Sequence, residues 1–212
     1  MKLTVFGATG RIGGEVVRQA LAAGHGVTAV VRDPARLAVR DPRLEVVTVS
    51  GLDDPEALAP AVAGRDAVLS GVGPRRRSDT HVASESTRAI LGAMTAHGVR
   101  RLVAVSAAPV GPSPAGDGWF DRRVLRPFIT TLLRDVYADL AVMERDIRDS
   151  GVDWTVVWPP RLVDSPPRGA YRTAIGANVP HARTVSRAEV AHLMLVALDD
   201  PAMVGRPVGI AR

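Results

Sequence analysis

The stretch that most limits what this chain can become is Gly7-Ala8-Thr9-Gly10-Arg11-Ile12-Gly13. It follows a short apolar run, Leu3-Thr4-Val5-Phe6. It leads into a segment in which Ile12, Val16, Val17, Ala20 and Leu21 share one helix face. Strand, glycine turn and helix in that order make the first half of a βαβ nucleotide-binding unit. Backbone N–H groups at a helix start can meet a phosphate only where no side chain intervenes. Gly7 permits the tight turn off the strand. Gly10 lets the backbone approach a pyrophosphate, and Gly13 lets the helix pack hard on the strand. The spacing is G-x-x-G-x-x-G rather than G-x-G-x-x-G. The same glycines could serve only a structural turn; their place between strand and helix favours cofactor binding.

A chain of 212 residues with 46% apolar content predicts one globular domain, spanning 1–212, with a substantial core. It has no cysteine, which rules out disulfides, thiolate metal sites and a cysteine nucleophile. The first strand begins by residue 3, so no leader is expected. No apolar run approaches a membrane span. A cytoplasmic protein is the expectation. The formal charge is +5, but Lys2 is the single lysine, and all other basic residues are arginines scattered among 22 acids. Only Arg75-Arg76-Arg77 forms a run. A solvated surface explains this better than a nucleic-acid partner.

Further along, Val27–Val31 reads as a buried parallel strand. The residue just past such a strand faces the adenosine ribose: an acid suits a 2′-hydroxyl and an arginine a 2′-phosphate. Here the chain offers Arg32-Asp33-Pro34. Asp33 before a proline is better read as a helix cap, so Arg32 predicts NADP(H) over NAD(H). Strands are expected at 44–49, 66–70, 101–105 and 154–158. Helices are expected at 80–97 and 135–149, the second with Val136, Leu140, Met143 and Ile147 inward and Glu144 mostly outward. Gly71-Val72-Gly73 ends a strand on the edge where open α/β sheets bind ligands. Residues 107–118 are rich in Pro and Gly and deliver Trp119 and Phe120, which could stack on a flat acceptor or cap the core. Residues 161–184 are irregular, with a possible strand at 170–175. Ser186-Arg187-Ala188-Glu189 is a capping box opening the last helix, and 207–211 is a possible final strand.

Several chemistries lack their residues. There is no HExxH, no short-spaced histidine pair, no G-x-S-x-G and no Gly-Lys-Ser/Thr after the glycine loop. No metal is expected. With lysine confined to position 2, no Tyr-x-x-x-Lys pair exists; Tyr137 is followed four residues on by Ala141.

Gly7-Ala8-Thr9-Gly10, Val31-Arg32-Asp33, Ala96-His97-Gly98-Val99, Ser150-Gly151-Val152-Asp153-Trp154 and Pro159-Pro160 together resemble an atypical short-chain dehydrogenase/reductase. The group is the NAD(P)H-binding family of the biliverdin reductase B/flavin reductase type and, more distantly, NmrA-like redox sensors. Gly169-Ala170-Tyr171 and Thr184-Val185-Ser186 extend the resemblance. It implies an α/β, three-layer Rossmann fold: a doubly wound, mostly parallel sheet with helices on both faces. It also implies that Thr9, Gly10, Arg11 and Ile12 hold the pyrophosphate and Arg32 the 2′-phosphate. Gly71, Val72 and Gly73 would lie along the cofactor, Ser106 beside the nicotinamide, and Pro159 and Pro160 at the active-site border.

The reaction implied is hydride transfer from NADPH to a planar conjugated acceptor: a flavin, a quinone or a tetrapyrrole-like molecule. The cofactor carries the hydride, so the missing tyrosine–lysine pair is expected. Segments 107–134 and 159–184 would build the substrate site, with Trp119, Phe120, Trp158 and Arg161 as candidate lining residues and Ser106 as the candidate orienting group. Arg161 could equally face solvent. The alternatives are a non-catalytic NADP(H) sensor and a pathway-specific ketone or enone reductase. A monomer or homodimer is expected, with no membrane partner. Relatives carry Gly-Asp after the third strand, where the acid reads the adenine. This chain has Ser50-Gly51 there, and Asp53 or Asp54 could substitute.

Overall fold

The computed structural model describes residues 1–74, 79–112, 133–166 and 169–212. Strand β1 (Lys2–Phe6) enters the sheet first, and α1 (Arg11–Ala22) follows it after the glycine turn. Then come β2 (Gly26–Val31), β3 (Leu44–Thr48), α2 (Pro55–Val62), β4 (Ala67–Ser70), α3 (Val82–Ala96) and β5 (Arg101–Val105). The second half holds α4 (Arg134–Asp149), β6 (Asp153–Trp158), β7 (Arg161–Val163), β8 (Arg172–Ile175), β9 (Thr184–Ser186), α5 (Arg187–Asp199) and β10 (Arg206–Ala211).

Eight strands form one sheet in the order β3-β2-β1-β4-β5-β6-β10-β8. Every pairing is parallel except β10 with the edge strand β8. Strand order reverses direction between β1 and β4. That switch point is where the carboxyl ends of a doubly wound sheet leave a crevice. The expected Rossmann architecture is therefore the observed one.

Alternation along each strand sends neighbouring side chains to opposite layers. On β1, Leu3 and Val5 join a core with α1 and α5, including Val16, Val17, Leu193 and Met194. Phe6 joins the opposite core with α2, α3 and α4, including Leu58, Ile90, Met94, Met143 and Ile147. Thr4 points the same way as Phe6 and is fully buried; its hydroxyl donates to the Ala61 carbonyl.

Asp33 and Asp54 each precede a proline, and both act as caps. Asp33 accepts from the Ala35 N–H (3.0 Å), and Asp54 from the Glu56 N–H (2.9 Å). The capping box at Ser186 forms with both of its bonds. Helix α3 is different. Its N-cap, His81, has φ of +68° and supplies no side-chain bond. Asp139 of α4 does this from across the core, accepting from the N–H groups of Ala83 (2.8 Å) and Ser84 (3.1 Å). A buried carboxylate here satisfies donors that have no partner within the helix.

One helix face differs from expectation. Glu144, expected mostly outward on α4, is buried, at 1% exposure. It sits between Met143 and Ile147 at the margin of the apolar stripe. Burial is sustained because Ser106 Oγ (2.6 Å), Trp158 Nε1 (2.8 Å) and Arg148 (2.6 Å) all donate to its carboxylate. β7 pairs with β9 as a separate parallel two-stranded sheet, and β7 lies in the region expected to be irregular. Residues 75–77, 119 and 120, and most of the 107–134 segment, lie outside the described residues.

Candidate functional site

Three glycines set the geometry at the switch point. Gly7 has φ of +74°, a conformation that L side chains rarely adopt. A Cβ built on Gly13 would lie 2.2 Å from the Gly7 carbonyl oxygen, and one on Gly7 would lie 2.9 Å from the Gly71 backbone. Strand β1, helix α1 and the end of β4 thus touch backbone to backbone. Larger residues would push the α1 N-terminus off the sheet.

Above this contact lies a groove of about 890 Å³ along the carboxyl edge of the sheet. It is of the size that receives a cofactor. The glycine turn contributes Gly7, Thr9, Gly10, Arg11 and Ile12. The end of β2 contributes Val30, Val31 and Arg32, and the short 3-10 turn after it adds Arg36. Gly51, Leu52 and Asp53 line the groove beyond β3, and Gly71 to Pro74 beyond β4. Val82, Glu85 and Ser86 close it from α3, with Leu162 and Arg187 on the opposite lip.

Helix α1 opens into this groove from Gly10, which has no side chain to cap it, and it has no acid in its first turn. Helices α2 and α5 both have side-chain caps. A helix start left open, beside backbone that no Cβ obstructs, suits a phosphate. Charge points the same way: four arginines line the groove against two carboxylates. Arg32 and Arg36 are exposed, and among the described residues neither is in an ion pair. Two guanidinium groups one short turn apart suit a phosphate monoester.

Of the two candidate acids, Asp54 is engaged as the α2 cap. Asp53 lines the groove, its carboxylate lying where a Cβ on Gly51 would stand, 2.2 Å away. An acid thus reaches the groove two residues past Gly51.

The remaining expected residues stand elsewhere. Ser106 lies at the carboxyl end of β5, is buried, and is not among the groove-lining residues. Its hydroxyl proton goes to Glu144, so its oxygen is left to accept. Trp158, expected at the substrate, is a core residue at 4% exposure. Its indole N–H is bound to Glu144, and its ring packs on Gly111, where a Cβ would come within 2.5 Å. An apolar ring with its one donor satisfied is stable inside, which is why it faces the core. Pro159 accepts the Ala108 N–H (2.9 Å) and Pro160 follows it; neither lines the groove. Arg161 is exposed at the start of β7.

Sequence reading missed Arg36, Glu85, Ser86, Leu162 and Arg187. Only Arg36 had a local signal, four residues past Arg32. Tyr137 is half-buried, and burial pushes its hydroxyl pKa up, away from the range of a general acid at neutral pH. Among the described residues no cluster of three histidines or acids is placed to hold a metal. None of their helices is long and apolar enough to cross a membrane.

A family model described as NAD(P)H-binding matches residues 7–201. A protein of Streptomyces griseus named (4-alkanoyl-5-oxo-2,5-dihydrofuran-3-yl)methyl phosphate reductase is 37% identical over 158 residues, 74% of this chain and 46% of that protein. The chain thus spans about half the length of that relative. Among solved structures, a short-chain dehydrogenase/reductase from Veillonella parvula in complex with NADP aligns with a TM-score of 0.82 at 19% identity, covering 100% of this chain and 94% of that one. A proposed NADH-flavin reductase from Streptococcus pneumoniae aligns with a TM-score of 0.81 at 22% identity, covering 100% and 99%. At these identities the structural matches establish the shared fold.

Proposed function

The chain belongs to the NAD(P)H-binding family, and from that we propose that it is an NADPH-dependent reductase of a planar conjugated acceptor. One observation carries the cofactor half of this reading. The α1 N-terminus starts from Gly10, which has no side chain to cap it, and opens into a groove lined by Arg32 and Arg36, which make no ion pair among the described residues. The backbone of residues 9–12 would hold the pyrophosphate, and Arg32 and Arg36 the 2′-phosphate. Asp53 takes the adenine. Gly71 to Gly73 would leave the end of β4 open for the cofactor to run along.

The bound cofactor supplies the hydride, and the product's proton comes from solvent. The protein's task is to orient two flat rings. The absence of a tyrosine–lysine pair and the raised Tyr137 hydroxyl favour an acceptor that needs no protein acid. The reductase activity of the Streptomyces relative, and the flavin named for the Streptococcus neighbour, support this class of acceptor.

The test follows NADPH loss at 340 nm with FMN, riboflavin, simple quinones and biliverdin. Turnover on at least one is expected. Tight NADPH binding with turnover on none would favour the sensor alternative. Arg32→Glu is expected to raise the NADPH Kd at least ~30-fold while changing NADH less than ~3-fold, because a charged phosphate contact is worth roughly 2 kcal/mol. An unchanged NADPH/NADH ratio refutes the cofactor assignment.

A further inference from the structure

One charged cluster at the groove is not used by the reading above. Asp164, just after β7, stands between two arginines. Its Oδ2 accepts from Arg11 at 2.8 Å and its Oδ1 from Arg187 at 2.6 Å. Both arginines line the groove. They come from opposite halves of the chain, Arg11 as the first residue of α1 and Arg187 as the first of α5.

The small sheet brings them together. β7 pairs with β9 in the register Arg161↔Thr184, Leu162↔Val185, Val163↔Ser186. Asp164 and Arg187 are the next residues on each strand, so this register sets them side by side. Leu162 of the same sheet lines the groove, which fixes the pair at its lip.

The three side chains differ in freedom. Arg11 is 72% exposed and Asp164 61%, but Arg187 is only 19% exposed. Arg187 also follows Ser186, whose capping box pins the backbone. A guanidinium held this firmly at a binding groove is already oriented, so little freedom remains to be lost when a ligand arrives. An exposed carboxylate contributes little to stability by such pairing. It does offer arginine two acceptor oxygens, as a phosphate does, but with one negative charge against the pyrophosphate's two.

We propose that Arg187 is a pyrophosphate-binding residue and that Asp164 is an internal competitor, holding Arg187 and Arg11 until the dinucleotide displaces it. The inference rests on the dinucleotide reading above and adds a contact from the second half of the chain. The exchange trades two carboxylate ion pairs for two phosphate ones and leaves the Asp164 carboxylate, already 61% exposed, to solvent. It also frees the turn after β7 when cofactor binds.

Titration calorimetry on the full chain tests this with three probes: NADPH, NADH and adenosine 2′-monophosphate, which has no pyrophosphate. Arg187→Gln is expected to weaken both dinucleotides by about 10-fold, or about 1.4 kcal/mol, and to leave the monophosphate unchanged. Arg187→Lys is expected to restore part of the loss. Asp164→Asn is expected to tighten both dinucleotides by about 3-fold, since it removes a competitor worth no more than an exposed ion pair. A merely structural clasp predicts the opposite sign for Asp164→Asn: weaker binding, with a lowered urea midpoint. That result, or unchanged dinucleotide binding by Arg187→Gln at an unchanged urea midpoint, overturns the proposal. Wild-type protein that binds neither dinucleotide would instead overturn the reading beneath it.

Discussion

Gly13 and Gly14 are neighbours on α1, and replacing each with alanine should move stability in opposite directions. At Gly14 a Cβ meets only the Ala8 carbonyl oxygen, at 3.4 Å, which is ordinary contact. The variant then gains the helix preference of alanine over glycine, about 0.5–1 kcal/mol. At Gly13 the same atom would lie 2.2 Å from the Gly7 oxygen, 2.6 Å from its carbonyl carbon and 3.0 Å from the Ala8 nitrogen. All three obstacles are backbone, so no rotamer change relieves them. Helix α1 must move roughly 1 Å away from β1, a strain at the upper end of the ~1–3 kcal/mol seen for overpacked sites. Set against the same helix gain, the net loss is about 2 kcal/mol.

The displacement also lifts the α1 N-terminus from the groove. NADPH should therefore bind at least ~10-fold more weakly to Gly13→Ala, while Gly14→Ala binds normally. Urea unfolding gives the stabilities and titration calorimetry the affinities. If Gly13→Ala proved as stable as wild type and bound NADPH equally well, the argument that close backbone contact fixes this site would fail. A loss at Gly14 comparable to that at Gly13 would refute it too, because the effect would then belong to the helix and not to the contact.

Other consequences concern the buried carboxylates. Asp139→Ala leaves the Ala83 and Ser84 N–H groups without their acceptor and should cost about 2 kcal/mol, with faster hydrogen exchange at those two amides; unchanged protection there would disprove the capping role. Glu144→Ala strands the Trp158 indole and the Ser106 hydroxyl and should cost about 2 kcal/mol, at the low end for a buried pair because Arg148 is half-exposed. A shift in tryptophan emission should accompany it, and an unaltered spectrum and urea midpoint would contradict the buried bond.

How much of this could be read in the chain depends on distance along it. The glycine turn, the Asp-Pro caps, the Ser186 capping box and the strands of the first half rest on neighbours within a few residues, and all could be placed. Arg32 follows from its position one residue past a strand. The burial of Trp158 and Glu144 could not be read that way. A tryptophan after a strand and a glutamate beside an apolar stripe look the same whether they face solvent or each other. The short strands β7 and β9 carry three residues each, too few for a periodic signal.

What the sequence determined alone is the local covalent and steric logic. Residues 7–13 must turn without side chains, α1 must bury one face, and no thiol or tyrosine–lysine chemistry is available. Tertiary structure alone decided which charges meet. Asp139 caps a helix 56 residues before it, and Asp164 reaches Arg11 across 153 residues of chain. A carboxylate's partner depends on which donors the folded sheet and helices bring within about 3 Å, and no local pattern encodes that proximity.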